Sequence, residues 1–275
     1  MESMPARGAH HTGGPDTRGV LYPARLPTFD RLAAADDLAP IVAWFWIPQW
    51  NLAPGRTSRQ NVLPFPACNL VVEPEGVTIV GPTTRCSHRD LTGTGWAVGA
   101  LLRPAGAAAL DISPRELRDD ALQYHATELF DSISAAMSVG SPEIAEAASR
   151  FSSWLRERTT RAPDSALLAN EMVDLIAGDR SIIRVDDLAR RLSMSVRSVQ
   201  RVADRYIGLS PLAVIRRYRL QEAAERLRAD PEITLAEVAA DLAYTDQAHF
   251  SADFRHTLGL PPGEYRRSVE KAVDS

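Results

Sequence analysis

Arg197, Gln200, Arg201 and Arg205 fall at i, i+3, i+4 and i+8, which puts all four on one side of an α-helix, opposite Val199 and Val202. Those side chains suit the reading of nucleic acid. An arginine fork matches the O6 and N7 of guanine or a phosphate, and a glutamine amide matches adenine. The sequence carries no nucleophile elbow, phosphate loop, paired metal-ligand motif or recognisable triad, so an enzyme and a bound cofactor are not expected.

The elements that must hold these residues are visible as an internal repeat. LARRLSMS at 188–195 aligns with VAADLAYT at 238–245, fifty residues on, and GLSP at 208–211 aligns with GLPP at 259–262, fifty-one residues on. One residue is thus added between the two blocks of the second copy. Each copy reads as helix, tight turn, helix. Thr234 with Glu237 forms a capping box in the second copy, and Asp186 and Asp187 favour the matching helix start in the first. Ser195 and Thr245 are the expected N-caps of the second helix in each pair. Val199, Val202 and Tyr206, and then Phe250, Phe254 and Leu258, supply the buried stripes.

Between the copies, Ser210-Pro211 opens and Asp230-Pro231 closes a helix of nineteen residues, about 28 Å long. Its expected apolar side is Leu212, Ile215, Leu220, Ala223 and Leu227. A rigid spacer of that length suits two reading helices in successive major grooves, about 34 Å apart. One chain then reads DNA without dimer symmetry.

The 275 residues point to two domains. At 45% hydrophobic and 24% charged, the chain is neither a disordered polymer nor a coiled-coil rod. No apolar run spans a bilayer and the N-terminus lacks a signal peptide's apolar stretch, so a cytoplasmic protein without membrane contact is expected. Two cysteines rule out a disulfide scaffold. The net charge of −4 hides a split, with +6 over 184–228 and −5 over 229–275.

The expected fold class is α+β. Residues 1–18 read as a disordered leader. Residues 19–125 read as a small β-sheet or barrel domain, with strands around 42–47, 69–72, 77–80 and 96–102. A helical period sets in after Pro104, with Ser113-Pro114 and Ser141-Pro142 as helix-start signals, and residues 126–180 read as a helical connector. Ile144, Ala148, Phe151 and Leu155, then Leu168, Met172, Val173 and Ile176, form its apolar faces, and Gly178-Asp179 ends it. Residues 181–268 form an all-α domain of two helix-turn-helix units joined by the long helix, and 269–275 a tail.

The stretch from LARRLSMSVRSVQRVADRYIGLSP through ITLAEVAADLAYTDQAHFSADFRHTLGLPPGEYRR resembles the DNA-binding domain of AraC/XylS-type transcriptional regulators, over about 184–267. The N-terminal part, from GVLYP through VLPFPACNLVVEP, VGPTTR and LLRPAG, is more loosely similar to the regulatory domain of one subgroup. The resemblance implies sequence-specific binding of promoter DNA, with RNA polymerase and a second copy of the chain as further candidate partners. By it, Arg197, Gln200 and Arg201 face bases in the first unit, and Gln247, Ala248, His249 and Ala252 in the second. Arg205, Ser251 and Arg255 complete the expected DNA-binding set. This sequence departs from the family at Asp204 and Ala252, where basic residues are common, and at Asp253, where a small one is. A carboxylate at Asp253 near the reading face repels phosphate, so its removal is expected to tighten binding unless it pairs internally with Arg255 or Arg266.

Trp44, Trp46, Trp50, Phe65 and Trp96 concentrate aromatic surface in the β domain. They suit either an effector pocket with indole donors at its rim or ordinary core packing. A regulator whose first domain senses a small molecule is the leading expectation. The alternative is a ligand-independent DNA-binding protein whose β domain serves dimerisation or polymerase contact. A weaker third reading joins Cys86, His88 and Cys68 into a metal or redox sensor.

Overall fold

The computed structural model describes residues 28–273 apart from 63, 139–141 and 231, with the side chains of 61 and 268–273 outside the description. The expected leader and Ser141 therefore lie outside the described residues.

Among the described residues nine strands come first: β1 (Thr28–Ala33), β2 (Val42–Asn51), β3 (Thr57–Val62), β4 (Asn69–Glu73), β5 (Gly76–Val80), β6 (Ser87–Thr92), β7 (Thr94–Trp96), β8 (Val98–Leu102) and, after helix α1 (Pro104–Ala109), β9 (Ala121–Gln123). One antiparallel sheet runs β1-β2-β8-β4-β5-β9, with β7 also paired to β2, and β3 pairs with β6 as a separate ribbon. Alternation along β2 sorts its side chains. Phe45 and Ile47 enter a core with Leu70, Ile79, Ala100 and Phe151, whereas the neighbouring Trp44 and Trp46 take the other face.

Helices α2 (Thr127–Met137) and α3 (Ile144–Arg158) cover the core face through Leu129, Ile133, Phe151 and Leu155. They are part of the first domain. Helix α4 (Asp164–Gly178) instead buries Ala169, Met172 and Ile176 in the core of the C-terminal domain. The expected connector is thus divided between two cores, because the apolar stripes of α2 and α3 face the sheet and that of α4 faces later helices. Ser113-Pro114 begins a run of turns and no helix.

The C-terminal domain comprises α5 (Val185–Arg191), α6 (Val196–Tyr206), α7 (Pro211–Ala229), α8 (Leu235–Asp241), α9 (Gln247–Leu258) and α10 (Pro262–Val273). The last helix extends into the expected tail, as far as Val273. Helix α7 has the nineteen residues read from its flanking prolines, with Ser210 as N-cap. It has no simple apolar side. Leu212 is 38% exposed, while Arg217, Arg219, Gln221 and Glu222 are buried along with Ile215, Leu220, Ala223 and Leu227.

The two domains are joined by polar contacts as well as by packing. Buried Asn170 of α4 accepts from the Ala105 amide at 3.0 Å and donates to the Pro40 carbonyl at 2.8 Å. Arg217 of α7 donates to the Thr83 and Thr84 carbonyls at 2.5 and 3.2 Å. Arg118 donates to the Gly208 carbonyl at 2.6 Å, and Arg115 pairs with Asp204 at 2.8 Å. Gly208, with φ of 77°, lies so near the first domain that a Cβ there would stand 2.5 Å from the Pro114 carbonyl oxygen.

This seat makes two glycines behave oppositely. Gly208→Ala forces a left-handed alanine against backbone and should cost about 1–3 kcal/mol or more. Gly178→Ala, at the end of α4 in open space, should be neutral or stabilising by up to about 1 kcal/mol. Urea unfolding of both variants checks the contrast, and equal effects would mean that the Gly208 turn is not held by the first domain.

Candidate nucleic-acid interface

Each helix-turn-helix unit is built by the same local devices. In the first, the Ser195 hydroxyl accepts from the Ser198 amide at 3.1 Å and starts α6. In the second, Thr234 and Glu237 cap α8 reciprocally at 2.8 and 3.1 Å. The N-cap of α9 is Asp246, accepting from the His249 amide at 2.7 Å, in place of the expected Thr245. The added residue of the second copy is therefore taken up in the turn before α9. Asp246 stands fifty-one residues after Ser195 and restores the same cap.

Both turns contain a left-handed residue without being glycine: Ser193 at φ 52° and Ala243 at φ 57°. The next amide closes each turn, Met194 to the Ala189 carbonyl and Tyr244 to the Ala239 carbonyl, both at 2.9 Å. Left-handed backbone at a residue with Cβ costs about 1–2 kcal/mol. Its repetition at equivalent sites marks a turn angle that both units require.

On α6, Val199, Val202, Ala203 and Tyr206 are buried, and Arg197, Gln200, Arg201 and Arg205 are exposed on the opposite side. The sequence thus places all four together, with Asp204 among them. On α9, Phe250, Phe254, Thr257 and Leu258 are buried. Gln247, Ala248, His249, Ala252 and Arg255 are exposed, and Ser251 is half-buried at the edge of that face. Sequence reasoning missed His256, which is exposed four residues after Ala252. The helical period alone would have included it.

Asp253 is half-buried and engaged within the unit. It accepts from the Tyr244 hydroxyl at 2.6 Å, an internal partner that the sequence reading did not name. Burial first, then the hydrogen bond and charge of Asp253, push the Tyr244 phenol above its ordinary range. The donor therefore keeps its proton. Burial lowers the Arg217 guanidinium to about 10, with Asp119 and Asp253 opposing the fall, so it stays charged at neutral pH. Four of the nine carboxylates in 229–275, those of Asp230, Glu232, Glu237 and Asp241, line one open cleft of about 480 Å³ beside α8. None of these four lies on α9.

The aromatic residues of the β domain divide. Trp44 meets Phe65 edge-on at 5.5 Å and carries Arg31 over its ring at 4.5 Å. Trp46 lies against Gly99 and donates to Asn69 at 3.0 Å, and Trp50 lies against Gly95 and donates to the Thr92 carbonyl at 3.2 Å. Trp96 packs instead against the core face. Phe65 also meets Tyr218 of α7 edge-on at 6.4 Å.

The three metal candidates do not converge. Cys68 is buried in the first core, its thiol pushed up to about 12 by burial. The Cys86 thiol is also raised by burial, and lies beside Gly259 at the end of α9. Among the described residues no cluster of three or more metal-ligating side chains occurs. No helix among them is long and apolar enough to cross a membrane.

A family model described as a helix-turn-helix domain matches residues 188–268, and one described as a domain of unknown function (DUF6597) matches 30–123. An uncharacterised HTH-type transcriptional regulator of Haemophilus influenzae is 34% identical over 85 residues, which are 31% of this chain and 28% of that protein. A Streptomyces lividans protein named as an AraC-like transcription regulator is 34% identical over 83 residues, 30% of this chain and 27% of its own. The transcriptional activator RhaS of Escherichia fergusonii is 33% identical over 87 residues, 31% of each chain. The chain spans less than a third of the length of these curated relatives. Among solved structures, ToxT of Vibrio cholerae O395 aligns with 89% of this chain and 97% of its own at 13% identity and a TM-score of 0.41.

Asp253→Ala leaves the Tyr244 hydroxyl unpaired and removes a counter-charge from Arg217, so it should lower unfolding stability by about 1–3 kcal/mol. Duplex affinity should not rise. Denaturant unfolding and DNA titration on the same preparation check both halves, and a gain in affinity without loss of stability would return Asp253 to the reading face. Residues 188–268, preceded by a β-rich N-terminal domain, are a helix-turn-helix domain of the AraC type.

Proposed function

We propose that the protein is a sequence-specific transcription regulator that binds promoter DNA through its two helix-turn-helix units. The observation that carries this reading is the outward face of α6, where Arg197, Gln200, Arg201 and Arg205 stand exposed together above a fully buried opposite side. Arg201 is central on that face and is assigned a base contact. Arg205, whose guanidinium lies 5.2 Å over the Tyr206 ring, is placed at its margin and suits phosphate. In the second unit the reading residues are Gln247, Ala248, His249, Ala252 and Arg255, with His256 added and Ser251 at the edge.

The first domain is the receiver of a small-molecule effector in this reading. Trp44, Trp46, Trp50 and Phe65 offer apolar surface on the sheet face away from α2 and α3, and the Trp44–Phe65–Tyr218 ring contacts run from that face to α7. A bound molecule that displaces Phe65 acts on the helix between the two reading units. Trp96, on the core face, is left out of the site. Such a molecule regulates only if it binds the DNA-competent and incompetent states unequally.

Selection of duplexes from a random pool with the full chain yields the operator, and Arg201→Ala is then titrated against it. The expected loss is about 1–3 kcal/mol, together with relaxed selection at one base pair. A folded Arg201→Ala protein with unchanged affinity and unchanged selection would remove α6 from the reading role.

A further inference from the structure

We propose that Arg115, a residue of the first domain, is part of the DNA-contacting surface and binds a backbone phosphate beside the groove entered by α6. The proposal rests on the DNA-binding reading of the helix-turn-helix units and extends it to a residue outside them.

Asp204 follows Arg197 by seven residues, Gln200 by four and Arg201 by three, so it shares their stripe and stands one turn beyond Arg201 toward the end of the helix. A carboxylate there faces the polyanion and opposes binding. Arg115 answers it. Its guanidinium reaches from the turn after α1 to lie 2.8 Å from the Asp204 carboxylate, and Arg118 approaches the other oxygen at 3.8 Å. The contact spans 89 residues of sequence.

Exposure separates the two arginines. Arg118 is fixed by its 2.6 Å bond to the Gly208 carbonyl, and Pro114 presses on the same glycine. These contacts hold the turn in place. Arg115 adds little to that task, because its side chain is 67% exposed and its partner 44% exposed, and an exposed ion pair contributes only about 0–1 kcal/mol. A guanidinium has five N–H donors, and Asp204 takes one of Arg115's at hydrogen-bonding distance. The remainder lie beside the exposed face of α6 that carries Arg197, Arg201 and Arg205. At the end of a helix that enters the major groove, the flanking backbone is the nearest partner of matching charge. Arg115 thus neutralises Asp204 and adds a phosphate contact, and Arg118 positions it.

The test uses the full chain and a 30-bp duplex of random sequence, with affinity followed over a series of salt concentrations. Asp204→Ala provides the background in which loss of Arg115 exposes no carboxylate. In that background Arg115→Ala should weaken binding several-fold at low salt and reduce the salt slope by about 0.9, whereas Arg115→Lys should keep the slope. Asp204→Ala alone should bind as tightly as the unaltered protein or more so. Arg115→Gln serves as a second variant that keeps a donor without charge, and should lose the same slope. Unaltered protein that binds the duplex, with slope and affinity unchanged in the Arg115 variants, overturns this proposal alone. Tighter binding on loss of Arg115 overturns it too, and makes the contact a brake. Failure of the unaltered protein to bind duplex DNA at low salt overturns the DNA-binding reading and this proposal with it.

Discussion

Two guanidinium groups buried in one helix set most of the architecture. Arg217 and Arg219 of α7 are 5% and 4% exposed, and a charge so placed needs partners of its own. Arg219 donates to the Ile176 carbonyl at the end of α4 and pairs with Glu222 at 2.8 Å. Glu222 in turn meets Arg226 and Arg180. Arg217 turns to the other domain and donates to two successive carbonyls, Thr83 and Thr84. The arrangement needs α4 on one side of α7 and the 83–84 segment on another. Loss of the 83–84 segment takes from Arg217 the two carbonyls it donates to, and loss of α4 takes the Ile176 carbonyl from Arg219, which keeps Glu222.

The same constraint gives the reading helices a common frame. Helix α6 ends at the Gly208 turn, pressed by Pro114, and α9 ends at Gly259, beside Cys86. Both glycines are left-handed, at φ 77° and 85°. Segments of the first domain therefore touch the exit of each reading helix, and α7 lies between them. A displacement of the β domain is felt at both units, through contacts that do not pass along the backbone. The ring contacts from Trp44 through Phe65 to Tyr218 give that domain a further line to α7.

Features written in local sequence were legible before any coordinates. The nineteen-residue helix follows from Ser210-Pro211 and Asp230-Pro231, and the capping box from Thr234 and Glu237, because each depends on residues a few positions apart. The exposed face of α6 follows from helical period alone. The turns were only half legible: glycine marked the ends of α6 and α9, but Ser193 and Ala243 adopt left-handed backbone with nothing in their residue type to signal it. Partnerships across the chain were hidden. Asp253 could be suspected of internal pairing, but not with Tyr244, nine residues back across a turn. The division of α2 and α3 from α4 depends on which core each stripe meets, and stripes alone do not say. Four of the second unit's nine carboxylates gather beside α8, which net charge alone does not reveal.

Helix α4 also bears on where this protein can be cut. The helix-turn-helix match begins at residue 188, yet the core under α6 includes Ala166, Ala169, Met172 and Ile176 of α4, and even Ala105 from the first domain. A fragment begun at the family boundary would strip α6 and α7 of the α4 side chains that share their core, and leave Arg219 without the Ile176 carbonyl it holds. A fragment that keeps α4 with this core therefore starts at or before residue 164, one helix earlier than the recognisable motif, and still parts Arg217 from Thr83 and Thr84. The excision point is set by the packing of α4 and not by the reach of sequence similarity.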